Sequence, residues 1–170
     1  MTGVELCIVI KASLAWLSPY QERVACDNAA YIIQQSEKRD VDPLIVAAII
    51  YRESAFSPRV VSSAGACGLT QVIPKYSKYT CEQLKQPRVA IREGVRALAK
   101  WLSWAGGDMD TALCGYNAGT KCIKSPQGRF ARKVKRRYVK RVVESYSKLK
   151  DEYDKFNRER SKKAHGVDTK

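Results

Sequence analysis

Histidine is almost absent from this 170-residue chain, which contains a single one, His165. Six cysteines are present, but no two are separated by only two residues, so the common Cys-x-x-Cys metal-binding pattern is missing. Zinc sites take most of their ligands from these two residue types at short spacings. The sequence therefore predicts no metal site and no cofactor.

Strand signals and long apolar runs are also scarce. Alternating β-branched runs flanked by hairpin turns do not occur, which disfavours a sheet protein. The apolar stretch 6–17 is interrupted by Lys11 and is too short to span a membrane. It follows Glu5 without an early lysine or arginine, which makes it a poor secretion signal. We interpret residues 1–17 as an amphipathic segment and expect no transmembrane span.

Helical periodicity dominates the rest of the chain. Hydrophobic residues make up 45% of the sequence, which is ordinary for a globular protein of this length. Apolar residues recur at helical intervals over 18–39, and again over 87–104. These patterns predict a mostly α fold whose main domain covers residues 18–128.

Glu53 follows the apolar run 44–51. That run has neither glycine nor proline after Pro43, which predicts a buried helix with Pro43 in its first turn. A carboxyl group at the end of such a helix loses hydration, so its pKa should rise. A carboxylic acid that stays protonated near neutral pH can protonate a leaving oxygen, as cleavage of a glycosidic bond requires. The alternative is a solvated carboxylate paired with Arg52.

Three motifs occur in a fixed order around and after Glu53. They are ESAFSP at 53–58, GACGLTQ at 65–71 and ALCGYNAG at 112–119. Together they resemble the soluble lytic transglycosylase family over about residues 43–119. The resemblance implies a lysozyme-like fold of the goose-type or SLT kind. It also implies cleavage of peptidoglycan between N-acetylmuramic acid and N-acetylglucosamine, with a 1,6-anhydro product.

A single carboxylic acid suits the chemistry that this resemblance implies. It would protonate the bridging oxygen and then take a proton from the C6 hydroxyl of the same sugar, which attacks C1 in place of water. Most glycosidases need two carboxylates. We interpret Glu93 as part of a solvated helix face and Asp108 as a turn or helix N-cap. All candidates for a second carboxylate are Glu82, Glu93, Asp108 and Asp110.

The remaining site residues also follow from the resemblance. Gln71 matches a groove-lining glutamine, and Tyr116 matches a tyrosine that orients the acid. Asn117 either supports the groove or only caps its helix. Ser54 either bonds within the site or caps the next turn. The predicted set is catalytic Glu53 with substrate-binding Ser54, Gly68, Leu69, Gln71, Tyr116 and Asn117.

The formal net charge of +14 is concentrated towards the C-terminus. Residues 129–170 carry sixteen basic and six acidic side chains. An apolar stripe recurring every three or four positions over 132–156 predicts a long amphipathic helix within a 129–157 segment. We expect a mobile tail at 158–170.

Three interpretations of the 132–156 helix remain open. It packs on the domain with its charges solvated, or it docks through its apolar stripe to a virion or secretion-apparatus protein. In the third interpretation it binds nucleic acid or another polyanion.

The cysteines flank the motifs. Cys67 and Cys81 bracket the groove loop, and Cys114 and Cys122 bracket the YNAG sequence. Either pair can form a disulfide in an oxidising compartment, or the cysteines act as small buried hydrophobes.

Peptidoglycan lies outside the cytoplasmic membrane, so a wall-cutting enzyme with a poor secretion signal needs another route. We expect action in the periplasm or cell wall after delivery by a bacteriophage particle, either mounted on the tail or ejected. A component of a secretion or conjugation system is the alternative. Two other functions also remain open. The protein could be a lysozyme-like hydrolase or a structural protein with a lysozyme-like fold.

Overall fold

The computed structural model describes residues 1–165, which form helices joined by turns and one long loop. Within these residues, extended pairing is limited to isolated bridges in the loop. The mostly α prediction is therefore confirmed. A 3-10 turn covers Pro74–Tyr76, and a π-helical segment covers Lys135–Val139. The α-helices are α1 (Gly3–Ser13), α2 (Pro19–Glu37), α3 (Pro43–Ser54), α4 (Cys81–Leu84), α5 (Pro87–Trp104), α6 (Met109–Ala118), α7 (Lys121–Lys124), α8 (Arg129–Val134) and α9 (Lys140–His165).

Local capping signals determine where the main helices begin. Ser18 caps α2 with Pro19 at the first helical position, and Asp42 caps α3 directly before Pro43. The side chain of Asp108 accepts a hydrogen bond from the first turn of α6, which confirms its predicted cap role. These caps satisfy backbone amides that lack partners inside the helix.

Helix α3 lies at the centre of the core. Residues 44–50 are all buried, and α2 and α9 both pack against this helix. A helix that is apolar on every side is stable only when other elements surround it. The same burial fixes the position of Glu53, which is the last residue but one of α3.

Helix α1 is part of the same core. Cys7 forms a disulfide with Cys26 of α2, and Glu5 pairs with Arg160 near the far end of α9. Helix α1 packs against both α2 and α9. Its inward face, which is fully buried, consists of Leu6, Val9 and Ile10.

The C-terminal segment packs on the domain through its apolar stripe. Val142 and Leu149 are fully buried, and α9 contacts both α3 and α1. The guanidinium of Arg52 donates hydrogen bonds to the carbonyl of Arg141 at 2.9 Å and to the hydroxyl of Ser145 at 2.7 Å. The domain therefore covers part of this stripe, as the first interpretation expects. Docking of the helix to a virion or secretion-apparatus protein stays a prediction.

The end of α9 differs from the sequence prediction. The helix continues without a break to His165, so the tail predicted to be mobile from residue 158 is helical at its start. Residues 166–170 lie outside the described part of the chain. Within residues 1–165, no helix is both long enough and apolar enough to cross a membrane.

Candidate active site

Glu53 lies in the last turn of α3, where the helix leaves the core. The chain turns sharply after it, because Ala55 and Phe56 both adopt left-handed backbone angles, with φ of 48° and 60°. Each such residue costs of order 1 kcal/mol, and this kind of strain concentrates at functional sites. Phe56 is fully buried, which anchors the turn and holds the end of α3 in place.

Burial raises the pKa of Glu53 to about 7, as the sequence predicted. The hydroxyl of Tyr138 donates a hydrogen bond to Glu53 Oε1 at 2.5 Å. This bond lowers the pKa of Glu53 and so offsets part of the effect of burial. The alternative pairing with Arg52 is wrong, since that guanidinium bonds to α9 instead. Near pH 7 the carboxyl group is divided between its acid and its carboxylate form, so it can both donate and accept a proton.

Tyr138 is a residue of this site that the sequence analysis missed. Burial and the neighbouring charge of Glu53 raise its pKa well above the usual range, so the phenol stays protonated and serves as a donor. The residue lies in the π segment Lys135–Val139, and π-helical turns are frequent at functional sites. In the sequence, Tyr138 is one more member of the apolar stripe. The stripe places it on the inner face but gives no sign of the widened turn that directs it to Glu53.

Tyr116 lies near Glu53 but makes a different bond from the predicted one. Its hydroxyl donates to the carbonyl of Thr70 at 2.7 Å. Burial, and then the charge of Glu53, raise its pKa. The prediction that Tyr116 orients the acid directly is therefore corrected, because Tyr138 makes that hydrogen bond. Thr70 donates from its own side chain to the carbonyl of Ala90 at 2.8 Å, which ties the loop to α5.

The loop after α3 is held by its own hydrogen bonds. Ser54 donates from its hydroxyl to the carbonyl of Leu69 at 2.9 Å, which joins the end of α3 to the loop. The side-chain amide of Gln71 donates to the carbonyls of Val60 and Gly68, at 3.1 and 2.9 Å. Leu69 is fully buried, so its side chain has no surface left for a sugar. These residues shape the loop. The predicted contacts of Ser54, Gly68 and Gln71 with substrate stay predictions, whereas the burial of Leu69 argues against a contact through its side chain.

The last predicted site residue lies at the edge of this group. Asn117 is exposed in the final turn of α6, two residues before Gly119, whose φ of 79° ends the helix. Its predicted role towards substrate also stays a prediction.

Disulfides cross-link the loop and the segment after α6. Cys67 bonds to Cys81 at the start of α4, and Cys114 bonds to Cys122 of α7. The alternative of reduced thiols is wrong, because all six cysteines lie in the described residues and all are bonded. The first disulfide ties the loop to α4, and the second ties α6 to α7.

Three of the other candidate acids are occupied elsewhere. Glu93 is only 3% exposed and pairs with Arg96 at 2.8 Å, so the prediction of a solvated face is wrong. Glu82 pairs with Lys85 on the surface, and Asp108 caps α6. The pKa shift of Glu53 arises from burial and the phenol alone, without a neighbouring carboxylate. Among residues 1–165, the site therefore has one carboxyl group.

Comparisons with known proteins identify the family to which this chain is similar. The transglycosylase SLT domain family matches residues 30–139. A transglycosylase of Enterobacteria phage PRD1 is 35% identical over 86 residues, which is 50% of this chain and 32% of that protein. The soluble lytic murein transglycosylase of Salmonella typhimurium is 28% identical over 107 residues, which is 56% of this chain and 17% of that protein.

Solved structures show the same fold. The lytic transglycosylase Slt of Pseudomonas aeruginosa, determined as an inactive glutamate-to-glutamine mutant, matches with a TM-score of 0.66 at 25% identity, covering 89% of this chain and 28% of that one. The 70 kDa soluble lytic transglycosylase of Escherichia coli matches with a TM-score of 0.64 at 19% identity, covering 88% and 30%. The chain thus spans about a third or less of the length of each relative. The similarity to these structures confirms the prediction of an SLT-type fold.

Proposed function

This chain belongs to the transglycosylase SLT domain family, and we propose that it is a peptidoglycan lytic transglycosylase. The proposed reaction cleaves the β-1,4 bond between N-acetylmuramic acid and N-acetylglucosamine and leaves a 1,6-anhydro end. One observation carries this proposal: a single carboxyl group with a pKa of about 7, held by a phenol at the end of a buried helix.

Glu53 performs both proton transfers of the proposed reaction. Its acid form donates a proton to the bridging oxygen as the bond from that oxygen to C1 breaks, and the acetamido group of the substrate stabilises the cationic C1. The carboxylate then removes the proton from the C6 hydroxyl, whose oxygen bonds to C1. The acid form is thereby restored, and no water is consumed. Tyr138 holds the carboxyl group in one orientation during both steps.

The lone carboxyl group favours this route over hydrolysis. Hydrolases with two carboxylates use the second as a nucleophile or as a base for water. The best-placed alternatives here are Glu93, which pairs with Arg96, and Asp108, which caps α6. An intramolecular hydroxyl needs only the base that the first step has already formed.

Mass spectrometry of digested sacculi tests the proposal. We expect muropeptides with 1,6-anhydromuramic ends, which are lighter by one water than hydrolytic products. Reducing ends would indicate a hydrolase. Absence of soluble fragments from a correctly folded protein would indicate a structural or binding role.

We expect Tyr138→Phe to lower kcat about 10-fold, the effect of losing one hydrogen bond to a charged group. It should also move the alkaline limb of the pH–rate profile to higher pH. The phenol lowers the pKa of Glu53, so its removal lets that pKa rise. Turnover at a series of pH values measures both effects.

Tyr146→Phe is the matched control, because its hydroxyl bonds to Asp42 at 2.8 Å rather than to Glu53. It should leave the position of the limb unchanged. An unmoved limb in Tyr138→Phe would remove the phenol from the proposed mechanism.

We further propose that the enzyme acts in the periplasm or cell wall after delivery with a bacteriophage particle. The similarity to a phage transglycosylase and the three disulfides, which suit an oxidising compartment, support this placement. Detection of the protein in gradient-purified particles tests the route. Its presence only in a bacterial secretion or conjugation apparatus would contradict the phage route.

A further inference from the structure

The segment 121–137 carries a concentrated positive charge with little counter-charge. It contains eight basic and no acidic residues. None of the ion pairs found within residues 1–165 includes a member of this segment. Two of its lysines have neutral partners, since Lys135 donates to the hydroxyl of Thr111 and Lys121 lies over the ring of Phe130. One carboxylate lies near the segment, because the charge of Lys135 contributes to the lowered pKa of Asp108. Most of the charge is therefore not balanced within the described fold.

Four of these side chains surround one hollow, which we call the basic hollow. They come from α8 and the π segment, at positions two to nine residues before Tyr138 in the sequence. Three of the four are arginines, at positions 129, 132 and 136. With a rise of 1.5 Å per residue, these positions are separated by about 4.5 and 6 Å along the axis. The hollow is lined by Arg129, Arg132, Lys135 and Arg136.

Placing like charges around one hollow is unfavourable at separations shorter than the screening length of about 8 Å at physiological salt. A bound anion removes that repulsion. Arginine presents a planar fork that binds phosphate oxygens through two hydrogen bonds, which lysine cannot do. A row of arginine forks suits a ligand that carries phosphates in a row.

We propose that the basic hollow binds the phosphate backbone of a nucleic acid. A nucleic acid strand carries one phosphate per about 3.4 Å in a duplex, a regular linear array that a line of cations on a helix can follow. A membrane surface fits less well, because the charges line a concavity. Binding in a membrane interface also needs an apolar face, and Phe130 is the one large apolar side chain exposed within 121–137.

Fluorescence anisotropy with labelled 20-nucleotide single strands and duplexes tests the proposal on the full chain. The test variant reverses the charge of all three arginines, R129E/R132E/R136E. We expect its affinity at about 0.1 M salt to fall at least 10-fold. Because each phosphate contact contributes about 0.9 to the slope of log affinity against log salt on a duplex, the slope should decrease by about 2 to 3.

The matched control makes the same change in net charge on the exposed face of α9. It is K148E/R158E/K162E, at three exposed positions distant in sequence from the hollow. Its affinity should change less than 3-fold. The neutral variant R129Q/R132Q/R136Q should also weaken binding, and it covers the case in which charge reversal prevents folding. Thermal melting confirms that each variant is folded.

Three results would overturn the proposal. The first is an equal loss of affinity in the test and control variants, which would indicate general attraction by net charge. The second is absence of salt-sensitive binding to either oligonucleotide. The third is tighter binding to vesicles of phosphatidylglycerol than to the oligonucleotides, which would assign the hollow to lipid headgroups. None of these results bears on the products formed from peptidoglycan.

Discussion

Glu53→Gln should reduce the release of soluble fragments from sacculi by about 10³-fold or more while the protein stays folded. The amide has nearly the same shape as the carboxyl group, and its oxygen can still accept the hydrogen bond from Tyr138. It cannot donate a proton to the bridging oxygen or take one from the C6 hydroxyl. Turnover measured with equal amounts of folded protein gives the result. Lysis near the normal rate would remove Glu53 from the proposed mechanism.

The same variant should also show how the charge of Glu53 makes the stability of the wild-type protein depend on pH. The folded pKa of Glu53, about 7, lies above its ordinary value, so the folded state holds this proton more tightly than the unfolded chain. Stability therefore decreases as the pH rises from about 4.5 to 7, and the penalty is fully present above pH 7. Glu53→Gln has no such penalty.

Thermal melting at two pH values measures this effect. Glu53→Gln should melt close to the wild type at pH 4 and above it at pH 8. Glu82→Gln is the control, because Glu82 is a surface residue paired with Lys85. It should show no gain at pH 8. An equal melting temperature for wild type and Glu53→Gln at both pH values would show that the carboxyl group is not desolvated.

The sequence predicted those features that depend on local chemistry. Helix starts at Ser18 and Asp108 follow from side chains that cap backbone amides within three residues. The burial of α3 and the raised pKa of Glu53 follow from one apolar run, because that run needs neighbours on every side. Each of these inferences requires only a few adjacent residues.

The sequence did not predict contacts between distant segments. The phenol that bonds to Glu53 comes from position 138, and periodicity alone gives Tyr116 and Tyr138 equal standing. Which of them reaches Glu53 depends on the π segment, whose hydrogen bonds span one residue more than those of an α-helix. The amino-acid sequence carries no recognisable signal for this wider turn. The burial of Glu93 was missed for a similar reason. Its partners, Arg96 and Ser77, are ordinary polar residues whose convergence is visible only in three dimensions.

The loop after α3 depends both on local chemistry and on contacts with distant segments. Glycine lets a backbone approach a neighbour closely, and at Gly68 it does. A side chain added there would meet the backbone carbonyl of Leu84 at 1.9 Å. The sequence does not show this neighbour, because α4 reaches the loop only through the fold and the disulfide to Cys67.

Gly68→Ala should therefore destabilise the protein by about 3 kcal/mol or more, since the new methyl group forces backbone on both sides to move. For a chain of this size, that corresponds to a loss of about 6 to 12 °C in melting temperature. Gly65→Ala is a matched control with a similar φ, +77° against +74°, and open space around the added carbon. It carries only the left-handed backbone cost of about 1 to 2 kcal/mol. Equal losses in the two variants would show that the approach of Gly68 to Leu84 contributes nothing. A larger loss in Gly68→Ala, with turnover falling at temperatures where the protein is still folded, would show that this approach holds the loop beside Glu53.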